Sequence, residues 1–181
     1  MNTDVESVRQ WKRGEKNGFD ELYEKYKTQA LRTAFLICKS IPDSEDIVQD
    51  TFVQCHLHIR ELKKEKEFRA WMMRILTNEA YKVLKKKKRE QPDEEIDKKM
   101  NSVVVPGILE EELKKERLDS IGKAIDKLSD KHKITVIHYY YNEMSVREIA
   151  KVMGCLEGTV KSRLHTARKQ LKNFLEKEEM I

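Results

Sequence analysis

Apolar residues recur every three or four positions along most of this 181-residue chain, the spacing that places them on one face of an α-helix. The longest stripe runs from Phe19 to Ile37. The run ITVIHYYY, residues 134–141, has the residue types of a β-strand, but the sequence offers no second strand to pair with it. The pattern therefore predicts an all-α protein in which residues 134–141 are also helical.

Four of these stripes lie within the first 88 residues, and turn signals separate them. Gly14 follows the first stripe, Pro42 follows the second, and Asp43 is placed to cap the third helix. Four helices of this length can enclose a small bundle core. The sequence therefore predicts a helical domain over residues 1–88, with stripes that begin at Val5, Phe19, Ile47 and Phe68.

The composition changes after this first domain. Between Glu90 and Glu116 nine acidic residues occur with four lysines, and two of the chain's three prolines lie in the same stretch. Helical spacing resumes at Leu113 and continues beyond residue 170. We therefore predict a flexible linker over residues 89–111 and a second helical domain over residues 112–181.

The stretch VREIAKVMGCLEGTVKSRLHT, residues 146–166, has the spacing of a helix-turn-helix. Gly154 is placed for the turn, and Ile149 and Val160 can bring the two helices onto one core. Residues 158–173 include five basic residues and no acidic residue. Such a helix can bind phosphates with its basic side chains and reach base edges with its small polar ones. The alternative is an ordinary helical hairpin with a solvated, lysine-rich face.

A step of about 100° per residue gives the orientation of this second helix. Arg163 falls on the flank near the core, so we expect it to contact phosphate or the preceding helix rather than a base. Four candidate DNA-binding residues lie opposite the apolar stripe, namely Ser162, His165, Thr166 and Lys169. Two more, Lys161 and Lys172, lie at one edge of this polar face.

The first domain has charges of opposite sign on two helices. The segment DSEDIVQDTF, residues 43–52, has four acidic residues and no basic one, whereas YKVLKKKKR, residues 81–89, has six basic residues and no acidic one. Helix capping accounts for Asp43 and Asp46 but not for all four acidic residues. The separation therefore indicates two different partners, a basic protein and a nucleic acid.

The sequence lacks the patterns that catalysis and metal binding require. It has no glycine-rich phosphate loop, nucleophile elbow or paired carboxylates, so we predict that it is not an enzyme and needs no cofactor. Cys55, His56 and His58 have no second pair of metal ligands near them, so we predict no metal site. Without a signal peptide or a run of about 18 apolar residues, we expect a cytoplasmic protein with no membrane insertion.

Four motifs resemble those of bacterial sigma factors of the extracytoplasmic-function (ECF) group. They are FDELYEKY, DSEDIVQDTF, FRAWMMRILTNEAYKVLKKKKR and SVREIAKVMGCLEGTVKSRLHTARKQL, and their order and spacing match over almost the whole chain. Each motif alone is moderately specific, whereas the four in this order are highly specific. The resemblance implies a helical minus-10 domain, a tether and a helical minus-35 domain. It also implies that the chain directs core RNA polymerase to specific promoters.

The resemblance also implies roles for residues of the first domain. In the family, the helix that corresponds to DSEDIVQDTF binds a basic coiled coil of core RNA polymerase, which implies this role for Asp43, Glu45, Asp46, Gln49 and Asp50. An asparagine at the position of Asn78 helps to hold a base flipped from the minus-10 element, and the loop 61–67 shapes its pocket. From the residues alone, Asn78 is equally compatible with a solvent-facing position. The minus-10 surface implied by the family consists of Asn78, Lys82, Lys85 and Lys86.

The sequence departs from the family in the second domain. Many relatives have an aromatic residue or an arginine where this chain has His165 and Thr166, so we expect a different minus-35 preference. The chain ends at Ile181, so we expect no extra C-terminal domain and expect regulation by an anti-sigma protein. Two other functions remain open. A stand-alone helix-turn-helix regulator needs a dimer interface or an effector pocket, and a DNA-processing enzyme needs a catalytic constellation.

Overall fold

The computed structural model describes residues 3–90 and 121–178, and all regular secondary structure in these two ranges is helical. The all-α prediction is confirmed for them, including the run at residues 134–141. The first range contains α1 (Thr3–Lys12), α2 (Lys16–Cys38), α3 (Ile41–His58) and α4 (Phe68–Glu90). Two short 3-10 turns, Ile59–Glu61 and Glu65–Glu67, lie in the connection between α3 and α4.

The second range begins with a helical segment, α5, at residues 121–126. It continues with α6 (Asp130–Val136), a π-helical turn (Ile137–Tyr141), α7 (Val146–Met153) and α8 (Glu157–Glu178). The predicted linker, residues 89–111, lies outside the described residues except for its first two positions, which belong to α4.

The junction between α2 and α3 differs from the sequence prediction. Ser40 caps α3, because its side chain accepts a hydrogen bond from the Asp43 N–H at 3.4 Å. The prediction that Asp43 is the cap is therefore wrong. Asp43 lies in the first turn of α3, where its carboxylate binds Lys87 of α4. Pro42 also lies in that first turn, where its missing N–H breaks no helical hydrogen bond.

The core of the first domain lies among α2, α3 and α4, and it includes Leu22, Ile47, Phe68 and Leu76. Helix α1 packs closely on α2 because Gly18 has no side chain. A Cβ atom at Gly18 would stand 2.3 Å from the Ser7 carbonyl oxygen and 2.5 Å from the Trp11 nitrogen.

The two domains pack against each other. Ile134, Ile137 and Ile149 of the second domain belong to the same apolar cluster as Phe68 and Leu76 of the first. Helix α7 packs on α4, and α8 packs on α7 and α6. The helix-turn-helix is therefore held directly against the helix that carries the basic run of the first domain.

Across residues 3–90 and 121–178, no helix is both long enough and apolar enough to cross a lipid bilayer.

Candidate nucleic-acid and polymerase interfaces

The helix-turn-helix forms as its sequence predicts. The Ser145 side chain accepts from the Glu148 N–H, and the Glu148 carboxylate accepts from the Ser145 N–H at 2.9 Å, so a capping box begins α7. Gly154 ends α7 at φ 60°, a left-handed conformation that glycine adopts without steric cost. Ile149 and Val160 are fully buried on the shared core.

Helix α8 presents one polar face outward. Val160, Leu164 and Ala167 are buried, which leaves the opposite side of the helix in solvent. Of the predicted contact residues, Thr166 is half-buried, and the exposed ones are Lys161, Ser162, His165, Lys169 and Lys172.

Arg163 lies on the flank of α8 that faces the preceding turn. Its side chain is half-buried, and its guanidinium donates to the Cys155 sulfur at 3.7 Å. Arg163 therefore contacts the turn between α7 and α8, and its expected contact with phosphate rather than a base stays a prediction.

Arg168 is a basic residue of α8 that the sequence prediction omitted. Its Nε atom donates to the Tyr140 hydroxyl at 2.8 Å, and its guanidinium lies over the Tyr139 and Tyr140 rings at 5.6 and 5.8 Å. These contacts hold α8 against the π-helical turn. The sequence feature that could have indicated this contact is the run of three tyrosines at residues 139–141, since three consecutive residues cannot all lie on one apolar face of a helix.

The exposed face of α4 carries a continuous basic row. Asn78 and Lys82 are exposed and four residues apart, so they lie on the same side of the helix. Lys82 also pairs with Glu79 at 2.8 Å. Arg74 and Arg89 were not among the predicted residues but extend the row at its two ends. The exposed residues of this face are Arg74, Asn78, Lys82, Lys85, Lys86 and Arg89.

A cleft of about 400 Å³ lies beside the loop 61–67, where the family resemblance places a base pocket. Trp71 and Arg74 of α4 form one wall, and Lys151 of α7 closes another side. Asn78 does not line this cleft and lies one turn farther along α4 from Arg74. Phe68 is fully buried, whereas Trp71 is only half-buried at the cleft.

The acidic residues of α3 divide into two groups. Glu45, Asp46 and Asp50 are exposed along one side of the helix, together with the uncharged Gln49. Asp43 instead is half-buried and binds Lys87. Burial raises the pKa of Asp43, but the hydrogen bonds from Lys87 and Ser40 outweigh burial, so its pKa is below the ordinary value. Asp43 therefore stays ionised and is already paired within the chain.

The exposed side of α3 continues into an apolar groove between α2 and α3, with a volume of about 760 Å³. Leu31, Val53 and Leu57 remain 38%, 48% and 66% exposed there. These three residues lie outside the apolar stripes that predict the core, so the sequence alone does not predict a groove there. An acidic patch next to exposed apolar side chains is suited to bind an amphipathic, basic helix.

No group of His, Cys, Asp and Glu side chains that could hold a metal ion occurs in the part of the chain that the structure describes. Cys38 and Cys55 are buried, Cys155 is half-buried, and all three are free thiols.

Comparison with known proteins connects these surfaces to a family. Residues 22–90 match the family model of sigma-70 region 2, and residues 118–171 match that of sigma-70 region 4. The chain is 27% identical over 179 residues to the ECF RNA polymerase sigma factor SigW of Bacillus subtilis, covering 93% of this chain and 94% of that protein. The chain belongs to the ECF sigma factors of the sigma-70 family.

Another ECF sigma factor, the sigma-E factor of Haemophilus influenzae, is 28% identical over 187 residues, which cover 96% of each protein. Among solved structures, RpoE in complex with the anti-sigma factor NepR from Bartonella quintana matches with a TM-score of 0.68 at 26% identity, covering 87% of this chain and 96% of that one. CnrH in complex with the cytosolic domain of CnrY matches in fold with a TM-score of 0.74 at 20% identity, covering 97% of this chain and 98% of that one.

Proposed function

We propose that this ECF sigma factor binds core RNA polymerase through α3 and directs it to promoters by binding a minus-10 element with α4 and a minus-35 element with α8. The observation that carries this proposal is the distribution of charge. Helix α3 presents the exposed acidic residues Glu45, Asp46 and Asp50 and contains no lysine or arginine, whereas α4 and α8 present exposed basic rows. One chain thus presents one surface for a basic protein and two for DNA.

The proposed domain boundaries follow the sequence prediction. Residues 1–88 form the region 2 domain, residues 89–111 the linker and residues 112–181 the region 4 domain. The family matches at residues 22–90 and 118–171 support this division. Helix α4 ends at Glu90, two residues beyond the proposed end of the region 2 domain.

Within the polymerase surface, we assign contact to Glu45, Asp46, Gln49 and Asp50, with the apolar groove beside them. Asp43 has the different task of fixing α3 to α4 through Lys87. Within the minus-10 surface, Asn78 reads a base, and Lys82, Lys85 and Lys86 bind phosphates.

The partners of this chain are core RNA polymerase, promoter DNA and an anti-sigma protein. The match to RpoE in its complex with the anti-sigma factor NepR supports the last of these. The chain acts as a DNA-binding initiation factor in the cytoplasm, and the polymerase performs the chemistry.

A transcription assay tests this function. Core RNA polymerase is mixed with genomic promoter fragments, with and without the chain, and transcript starts are mapped. The proposal requires new starts that appear only when the chain is present. A stand-alone regulator would bind the fragments without polymerase and produce no new start.

A further inference from the structure

Asn142 is a buried polar residue at the contact between the two domains. Its side-chain oxygen accepts from Gln29 Nε2 on α2 of the minus-10 domain at 3.0 Å. The Thr33 hydroxyl on the same helix lies 3.1 Å from this oxygen and shares its one hydrogen between it and the Gln29 carbonyl oxygen at 2.7 Å. Its backbone oxygen accepts from Arg69 of α4. Asn142 itself is fully buried, so these contacts replace water completely.

His138 completes the network one turn earlier in the chain. Its Nδ1 atom accepts from the Asn142 amide nitrogen at 3.1 Å, which leaves Nε2 to donate to Thr77 Oγ1 of α4 at 2.9 Å. His138 and Thr77 are also buried. In this arrangement both ring nitrogens of His138 and both polar atoms of the Asn142 side chain have hydrogen-bond partners. A shift of one domain against the other would leave these buried polar groups unpaired. The network therefore specifies one docked geometry.

Ion pairs flank the network on both sides. Lys151 of α7 binds Glu67 at 2.9 Å and closes the cleft beside the loop 61–67. At the other end of α4, Lys88 binds Asp130 at 2.6 Å. Both pairs join the minus-35 domain to the edges of the minus-10 surface.

Binding both promoter elements requires a different arrangement. Their names place them about 25 base pairs apart, which is roughly 85 Å of B-DNA at about 3.4 Å per base pair. In the structure, α7 packs on α4 and α8 packs on α7. Packed helices lie about 8–10 Å apart, so α4 and α8 are separated by roughly 20 Å. The docked chain thus brings its two DNA-binding helices much too close together.

We propose that the free chain is self-inhibited, and that the network around Asn142 and His138 is the latch that holds it closed. Opening moves α7 and Lys151 away from the cleft beside the loop 61–67 and lets the two domains reach separate promoter elements. The segment 91–120 is long enough to allow this, because an extended chain reaches at most about 3.5 Å per residue, or roughly 100 Å here. The inference rests on the proposed function.

A reversible crosslink across the Glu67–Lys151 pair tests whether opening is required. The variant Glu67→Cys/Lys151→Cys is made in a Cys155→Ser background, since Cys38 and Cys55 are buried. Its two thiols are joined by a short, cleavable linker. We expect transcripts to fall in proportion to the crosslinked fraction and to recover when the linker is cut. Equal transcription by the locked and the cut forms of this variant would overturn the proposal.

Loosening the latch provides a second test on the free protein. The variant Thr33→Val/Thr77→Val removes two contacts to the network while keeping the side-chain shape. Thr51→Val is the matched control, because this buried threonine donates only within α3, to the Ile47 oxygen at 2.6 Å.

Small-angle X-ray scattering then compares the three free proteins. We expect the wild type and the control to be compact and the double variant to be expanded and to bind a single-stranded minus-10 oligonucleotide more tightly. A wild-type chain already as expanded as the double variant would refute the latch. The scattering and oligonucleotide measurements need no polymerase, so they test the latch independently of the proposed function. Failure of the proposed function would appear instead in the crosslinking experiment, where the variant with its linker cut would give no promoter-specific transcript.

Discussion

Asp43 and Lys87 join the first turn of α3 to the last turns of α4, and their side chains bind each other in an ion pair. The pair fixes the acidic helix to the basic helix at the place where their charges are closest. It also neutralises one residue of each surface. The charges left for partners are therefore Glu45, Asp46 and Asp50 on one side and the exposed row of α4 on the other.

Reversing two of the free acidic charges tests the polymerase surface. We expect Asp46→Lys/Asp50→Lys to weaken binding of core polymerase by about tenfold to a hundredfold, since like charges brought together at an interface cost several kcal/mol. Helicity should be unchanged because both residues are exposed. Binding is measured by fluorescence anisotropy, with the exposed Asp20→Lys on α2 as a control. Equal loss in the control would mean that net charge, not α3, governs binding.

Two residues of α4 should differ in the kind of DNA contact they make. Asn78→Ala should slow open-complex formation and relax the preference at one minus-10 base, at a cost of about 1–3 kcal/mol. Lys85→Ala should instead weaken binding to all promoters equally and lower by about 1 the slope of the logarithm of the binding constant against the logarithm of the salt concentration. Open complexes are followed by permanganate footprinting on promoters with each base substituted in turn. An unchanged base preference in Asn78→Ala would make Asn78 a surface residue only.

Helix α8 should show the same distinction at the minus-35 element. We expect Ser162 and His165 substitutions to change the selected sequence, because both side chains are exposed on the face opposite the core. The half-buried Thr166 should have a smaller effect. Lys161→Ala and Lys172→Ala should weaken binding without changing selection. Selection from randomised minus-35 sequences measures this. A change of preference in Arg163→Ala alone would show that a different face of α8 enters the groove.

Protonation of His138 should destabilise the chain in acid. Burial, and then the nearby charge of Arg69, lower the pKa of His138 to about 4 from 6.5. The unfolded chain therefore binds this proton more readily than the folded chain between these values. Stability from this residue is complete above pH 6.5 and is lost as the pH falls through 4, to a total of roughly 3 kcal/mol.

The measurement is urea unfolding of the wild type and His138→Gln at several pH values. Glutamine occupies a similar volume but does not titrate. The difference between the two free energies of unfolding should shrink as the pH falls, and parallel curves would contradict the assignment to His138.

Gly18 should tolerate no side chain. Gly18→Ala would place a Cβ atom against the backbone of α1, so we expect it to destabilise the chain by about 1–3 kcal/mol. Gly122 is the matched control: it lies in the helical segment α5 with open space around it, so Gly122→Ala should stabilise by about 0.4–1 kcal/mol. Thermal unfolding compares the two variants. Equal behaviour would contradict the close packing of α1 on α2.

Features that depend on local periodicity can be predicted from the sequence alone. The helical character of residues 134–141, the turn at Gly154 and the outward position of His165 all follow from spacing within one element. Helical geometry repeats every 3.6 residues, so a side chain's face can be counted from its neighbours. The opposed charges of α3 and α4 were also visible in the sequence, because each occupies one short run.

Which of these residues contact each other depends on the tertiary structure. Ser40 and Asp43 are both good capping residues by type. In the structure Ser40 caps α3, whereas Asp43 forms an ion pair with Lys87 of α4. The apolar groove at Leu31 and Val53 needs two helices to form. Thr33 and Asn142 are 109 positions apart, and no periodic pattern relates them. Such pairs depend on how the domains dock, which is set by the shape and polarity of whole surfaces rather than by any segment alone.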